Sequence, residues 1–215
     1  MIEPSVRLTC RERRVLATLM RRAPALAAAA ASLWWPVTLM RSDIALNEAG
    51  ALWGGDRAAS GRARVRTSVW HPDAVWQRYY AASLIDRHGG PAGPQEALAV
   101  YSEAEALAPR KAYVRASKGE LLARLGRWEE AVESLRSAVR LGHREPAVHY
   151  ELAEALAVLG RKQEALDAAK RYAAAKPADP AAWTYLADRF KSVGRPAAAR
   201  RMLARARRVR DVARR

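Results

Sequence analysis

The amino-acid sequence predicts an all-α protein, a solenoid of antiparallel helix pairs preceded by a single N-terminal transmembrane helix. Glycine recurs at a spacing of 34 residues and alanine keeps the same spacing, at Gly126, Gly160, Gly194, Ala97, Ala131, Ala165 and Ala199. A fixed period of this length is typical of stacked helix–turn–helix repeats. Half of the residues are hydrophobic but only 7% are aromatic, which favours helices packed closely through alanine. An uncharged run of 18 residues precedes the repeats.

The uncharged run, residues 23–40, lies between Arg22 and Arg41. Eighteen residues of helix cover about 27 Å, close to the roughly 30 Å of a bilayer's hydrocarbon core. Trp34 and Trp35 lie near its C-terminal end, where indole rings suit the headgroup region. We therefore expect residues 23–40 to form a transmembrane helix or signal anchor. Two alternatives stay open: a cleaved signal peptide with the small-residue site 29–31, and a buried alanine-rich helix that never meets lipid.

The flanks of this run predict its orientation. Arginines are more frequent before it than after it, with Arg11, Arg13, Arg14, Arg21 and Arg22 against Arg41 and Arg57. The positive-inside rule places the N-terminus in the cytoplasm and the repeats in the periplasm, on a single-pass protein of the inner membrane. Residues 1–22 are then a basic cytoplasmic flank. Part of that flank, 6–22, also fits a basic amphipathic helix on an anionic leaflet.

Each repeat is expected to contain two amphipathic helices joined by a glycine turn. Glycine accepts the left-handed conformation that ends the first helix. The alanine five residues later marks the point where the two helices touch. Counting from the glycines gives units at 112–145, 146–179 and 180–213.

These residues resemble the tetratricopeptide repeat family. The unit 112–145 carries the pattern at Gly119, Leu122, Gly126, Trp128, Ala131, Leu135, Ala138 and Leu141. Residues 75–111 fit as a further unit if three extra residues are placed in the turn at 89–94, with the second helix reading from Gln95 and ending at Ala108. Residues 41–74 are expected to form a more degenerate unit, with its turn at 54–56. The repeat domain then covers 75–215.

In this family the first helix of each unit lines the concave face, where partner segments bind. The resemblance places there Trp76, Tyr79, Ser83, Arg87, Tyr113, Ala116, Glu120, Arg124, Tyr150, Glu154, Val158, Thr184, Asp188 and Lys191. The expected surface is an aromatic stripe beside a mixed-charge stripe, and tyrosine and tryptophan are effective anchors for a peptide. The alternative is that these aromatics pack between repeats. Recognition of an acidic C-terminus is not expected, since the positions that would hold Lys and Asn are Ala116, Glu120, Tyr150 and Glu154.

The net charge of +16 is concentrated at the two ends of the chain. Residues 1–41 hold seven Arg against two Glu, and residues 180–215 hold eleven basic residues against two Asp. We expect the last helix to offer an anionic contact through Arg200, Arg201, Arg205, Arg207 and Arg208, because arginine forks suit phosphates. Simple capping of the last repeat and an acidic protein partner stay open.

The sequence offers no recognisable catalytic machinery. The four histidines share no metal-ligand spacing, and no phosphate-binding glycine loop is present. No cofactor, metal or small-molecule substrate is expected, and the chain is not expected to be an enzyme.

The sequence therefore predicts a membrane-anchored adaptor that binds or assembles a protein partner in a complex of the bacterial envelope. The alternative is a basic protein that binds nucleic acid or anionic lipid through its arginine-rich ends. The two differ in salt dependence, because phosphate binding weakens steeply as salt rises.

Overall fold

A computed structural model describes residues 56–68 and 73–214 of the chain. Within these ranges the chain forms nine α-helices and one short 3₁₀ turn, and no strand. The predicted all-α repeat fold is therefore confirmed for this part of the chain. The helices are α1 (Arg57–Thr67), α2 (Ala74–His88), α3 (Gly93–Leu107), α4 (Ala112–Arg124), α5 (Trp128–Arg140), α6 (Pro146–Val158), α7 (Lys162–Ala175), α8 (Pro180–Ser192) and α9 (Pro196–Ala213).

The expected membrane segment, residues 23–40, and the basic flank 1–22 lie outside the described residues. Among the helices just given, none has the length and apolar content needed to span a bilayer. The anchor stays a prediction.

Consecutive helices pack as pairs: α2 with α3, α4 with α5, α6 with α7, and α8 with α9. The first helices α4 and α6 also contact each other across a unit boundary. The second helices of neighbouring units make fewer contacts with each other than α4 makes with α6. The side on which neighbouring units come closer is the inner side of the curve. The first helices therefore line the concave face.

The degenerate unit at 41–74 is represented by α1, which packs against α2. The carboxylate of Asp56 caps this helix by accepting hydrogen bonds from the N–H groups of Ala58 and Ala59 at 2.9 and 3.0 Å. The helix lies where the second helix of that unit was expected. The rest of the unit falls largely outside the described residues, so the unit itself stays a prediction.

The glycine turns end the first helices as predicted. Gly126, Gly160 and Gly194 have φ values of 76°, 73° and 73°, in the left-handed region. The residue after the glycine closes the helix end, since the N–H of Arg127 donates to the carbonyl of Leu122 at 2.9 Å. Because only glycine adopts this conformation at little cost, its period sets the period of the fold.

The predicted contact point between paired helices is confirmed by burial. Ala97, Ala131, Ala165 and Ala199 are almost fully buried. The paired helices α4 and α5 approach closely at Gly119, where an added Cβ would lie 2.6 Å from the Leu135 Cγ of α5. Small side chains therefore fix the distance between the two helices of a pair.

The turn between α2 and α3 differs from the prediction. The chain makes a 3₁₀ turn at Gly90–Ala92 and α3 begins at Gly93, two residues before Gln95. The reason is a close approach of the backbone, since a Cβ on Gly93 would lie 2.5 Å from the Ile85 carbonyl oxygen. The extra residues are thus absorbed by a tight turn against the end of α2.

Candidate partner-binding groove

Two adjoining clefts lie on the concave face and form one groove. The first, between α2 and α4, has a volume of about 330 Å³ and brings together the predicted residues Tyr79, Ser83, Arg87, Glu120 and Arg124. The second, of about 90 Å³, lies between α4 and α6, and Tyr79 and Glu120 line it as well. We call the two clefts together the groove.

The N-terminal end of the groove is an aromatic cluster. Trp76 stacks on Tyr79 with ring centroids 5.4 Å apart, and Tyr113 meets Tyr79 edge-on at 4.8 Å. Tyr101 of α3 lies beneath, 5.9 Å from Tyr79 and buried. Trp76 keeps 47% of its surface exposed. The cluster thus joins neighbouring units and still presents an open aromatic face.

The structure divides the predicted aromatic stripe into two clusters. Tyr150 packs with Tyr185 at 4.9 Å and Tyr172 at 5.4 Å, and so belongs to a separate group between the last two units. Tyr150 is 36% exposed. The physical reason is that Tyr150 of α6 packs on rings of the next two helices, α7 and α8, whereas the rings near Tyr79 pack on one another.

Carboxylates line the groove between the two aromatic clusters. Glu120, Glu145 and Glu151 surround the smaller cleft, whose floor includes Ala116 and Val148. Burial, together with the neighbouring carboxylates Glu120 and Glu154, raises the pKa of Glu151, and Arg124 acts against this rise. Arg124 itself pairs with Asp86 of α2. The middle of the groove therefore has a surplus of negative charge.

The C-terminal end of the concave face is largely self-paired. Glu154 lies 3.7 Å from the guanidinium of Arg189, which stands 5.0 Å from the Tyr185 ring centroid. Asp188 and Lys191 pair with each other at 3.1 Å. Val158 remains 56% exposed.

Residues of this face that sequence reasoning missed include Asp86, Tyr101, Glu145, Glu151, Tyr185 and Arg189. In the last unit the expected Thr184 donates its hydroxyl to the Pro180 carbonyl at 3.0 Å. Its neighbour Tyr185 supplies the concave ring instead. The i, i+4 spacing of Tyr185 and Arg189 was the available signal, because such pairs share a helix face.

The arginines predicted to contact an anion lie on α9. Arg200, Arg201, Arg205, Arg207 and Arg208 are all exposed. The guanidinium of Arg205 stands over the Trp183 ring, 3.9 Å from its centroid.

The groove holds no arrangement typical of a metal centre. Within residues 56–68 and 73–214, no three His, Cys, Asp or Glu side chains are grouped to hold an ion. His143 lies 3.5 Å from Glu145 at the edge of the smaller cleft.

Comparison with known proteins identifies the class. The tetratricopeptide repeat family model matches residues 86–146 and 117–180. This part of the chain therefore contains tetratricopeptide repeats, a fold that repeat proteins typically use to bind other proteins. No curated protein sequence matches the chain significantly.

Solved structures of MamA share the fold. "MamA 41-end from Desulfovibrio magneticus RS-1" is 13% identical with a TM-score of 0.68, over 80% of this chain and 96% of that one. "Crystal structure of MamA protein" is 16% identical with a TM-score of 0.70, over 80% and 92% of the two chains. At these identities the likeness concerns the fold alone.

Proposed function

We propose that this protein is a non-catalytic scaffold that is anchored in the membrane by residues 23–40 and binds a segment of a protein partner in its groove. The observation that carries the proposal is the groove itself, a cleft on the concave face of a repeat fold that Tyr79 and Tyr113 line and that the exposed ring of Trp76 adjoins. Repeat solenoids use such faces to bind extended or helical segments of other proteins.

The side chains of the groove suggest the chemistry of the segment. Trp76 and Tyr113 offer apolar area at low entropic cost. Glu120, Glu145 and Glu151 would pair with a cationic side chain of the segment, and such pairing favours the correct partner over an acidic one. We therefore expect a segment that combines an apolar or aromatic residue with Lys or Arg.

The placement in the cell rests on the sequence. The arginines before residue 23 support a cytoplasmic N-terminus, and the repeats would then lie in the periplasm. The partner would be a subunit of an envelope complex in or near the inner membrane.

Crosslinking in intact cells tests the proposal. The full chain is crosslinked, solubilised in mild detergent and purified, and the proteins recovered with it are identified. We expect a stoichiometric membrane protein that survives nuclease treatment and is lost when residues 1–41 are removed.

The double variant Tyr113→Ala with Tyr150→Ala should lose that partner, since it removes a ring from each aromatic cluster. The matched control is Leu107→Ala with Val212→Ala, which trims two side chains that are 54% and 75% exposed and do not line the groove. Circular dichroism confirms that both variants fold. Equal recovery of the partner with both variants contradicts the groove assignment.

Glu120→Gln with Glu151→Gln tests the charge of the segment separately. We expect weaker partner recovery, by about tenfold in affinity for a loss of the order of 1.4 kcal/mol. Unchanged recovery would mean that the segment carries no cation at this point.

A further inference from the structure

The last helix, α9, carries an unusual excess of positive charge. Six arginines on it and the C-cap residue Arg214 are exposed, and only Asp211 opposes them: Arg200, Arg201, Arg205, Arg207, Arg208, Arg210 and Arg214. None of the seven forms an ion pair with a carboxylate of the described residues. Some exposed arginines elsewhere do form ion pairs, as Arg127 does with Glu130 at 2.6 Å and Arg161 with Glu164 at 2.7 Å.

The arginines form rows along the helix. Arg200, Arg207 and Arg214 recur every seven residues, and Arg201 and Arg208 do the same beside them. Seven residues are close to two turns of an α-helix, so members of a row lie about 10 Å apart on one side. Two neighbouring rows of like charge repel each other unless a counter-charge lies against them.

The apolar stripe of α9 packs against the rest of the protein. Ala199 and Ala206 are buried, and Met202 and Val209 pack on the core that α8 and its neighbours form. A helix that inserts into a bilayer needs a free apolar face, and the exposed surface of α9 carries seven arginines but only one large apolar side chain, Val212. The helix can therefore meet an anionic surface by charge alone.

We propose that α9 lies against the anionic phosphate headgroups of the membrane. This inference rests on the proposed function for two points, that the anchor at 23–40 holds the repeats close to the bilayer and that the repeats lie in the periplasm. Basic residues near an anionic leaflet each add attraction within a Debye length of the surface. The same anchor, with the repeats in the periplasm, keeps α9 away from nucleic acid, which is why lipid is the favoured source of phosphate.

Energy transfer from α9 to lipid tests this. In a Cys10→Ser background, the full chain carries a donor dye on a cysteine that replaces Ala204, an exposed position of α9. It is reconstituted into vesicles of phosphatidylcholine alone or with added phosphatidylglycerol, each holding a headgroup-labelled acceptor lipid. We expect transfer to rise with phosphatidylglycerol and to fall back as salt is added.

A four-arginine variant identifies the residues involved. Arg200, Arg201, Arg207 and Arg208, all changed to Gln, should abolish the rise in transfer. The control changes Arg110, Arg140, Arg144 and Arg171 to Gln, which removes the same charge from exposed positions off α9 and should keep the rise. Equal transfer in the two lipid mixtures, or equal loss in both variants, overturns the proposal.

Two further arms separate this inference from the anchor and from nucleic acid. Flotation with neutral vesicles tests the anchor, and a chain that floats only with phosphatidylglycerol and only with α9 intact would refute the anchor while supporting the role of α9. Salt-sensitive, α9-dependent binding to a DNA duplex or a single-stranded RNA, without any effect of phosphatidylglycerol, would show that the basic face serves nucleic acid and overturn the proposal.

Discussion

At the scale of single residues, burial shifts the pKa of titratable side chains, and His149 is an example. His149 lies on α6 and is partly buried. Burial, and then the positive charges of Arg171 and of His143 when protonated, lower the pKa of His149. In the unfolded chain the same imidazole titrates near its usual value of about 6.5. At a pH between the lowered pKa of the folded protein and about 6.5, His149 is therefore mostly neutral in the folded protein and mostly protonated in the unfolded chain.

This difference predicts a pH dependence of stability. As pH falls through about 6.5, the unfolded state takes up a proton before the folded state does, so the free energy of unfolding decreases. The decrease stops below the lowered pKa of the folded protein. His149→Gln should remove this component, as measured by urea unfolding of both proteins between pH 8 and pH 5. A stability difference between the two proteins that stays constant over this range would contradict the prediction.

Most residues that set the fold could be read from the sequence, because their role is local. A left-handed turn needs glycine and a tight helix contact needs a small side chain, and both requirements repeat with the unit. The pairing of Arg124 with Asp86 could not be read in this way. It joins two units, and no period relates its two members.

At the scale of the helix pair, the distance between α4 and α5 is set by Gly119. A methyl group there would lie 2.6 and 2.9 Å from two side-chain carbons of Leu135 and 3.2 Å from its backbone nitrogen. Leu135 is fully buried, so it has little room to move away. The pair can respond only by separating or by distorting Leu135.

Gly119→Ala should therefore destabilise the protein, although alanine favours helix by about 1 kcal/mol over glycine. Overpacking of a core typically costs about 1–3 kcal/mol, and we expect a net loss measurable by urea unfolding. A double-mutant cycle with Leu135→Ala gives the cause. The double variant should be more stable than the sum of the single effects predicts, because trimming Leu135 makes room for the methyl group. Additive effects would assign the loss to something other than this contact.

The 34-residue period predicts some helix boundaries correctly and others not. The turns at Gly126, Gly160 and Gly194 repeat and were predicted at the correct residues. The start of α3 was not, because Gly93 approaches the Ile85 carbonyl, whereas a Cβ added at the three repeated glycines would meet nothing within 4 Å. The aromatic clusters could not be predicted from the period either. Tyr172 and Tyr185, for example, lie on different helices and are brought together only by packing.

At the scale of the whole molecule, the core of residues 56–68 and 73–214 is built in two parts that meet in α4. One cluster holds Ile85, Val100 and Tyr101 with Val114 and Leu121 of α4. The other includes Leu122 of α4 and continues through Leu135 and Leu166 to the last unit. Repeat proteins of this kind are stabilised by units and by the interfaces between neighbours. The groove spans this junction, so its shape depends on both clusters.

Two core substitutions should then affect different regions of the chain. Ile85 and Leu166 are each fully buried, and replacing either by Ala should cost about 2–5 kcal/mol. By native-state hydrogen exchange, Ile85→Ala should lower protection chiefly in α2 and α3, and Leu166→Ala chiefly in α6 to α9, because each cavity weakens its own cluster first. The two variants serve as controls for each other, since the side chains have similar volume. Uniform loss of protection along the chain in both variants would show that the clusters unfold as one unit. In that case a substitution in the groove would change the stability of the whole solenoid, and binding at Tyr113 would depend on packing as distant as α9.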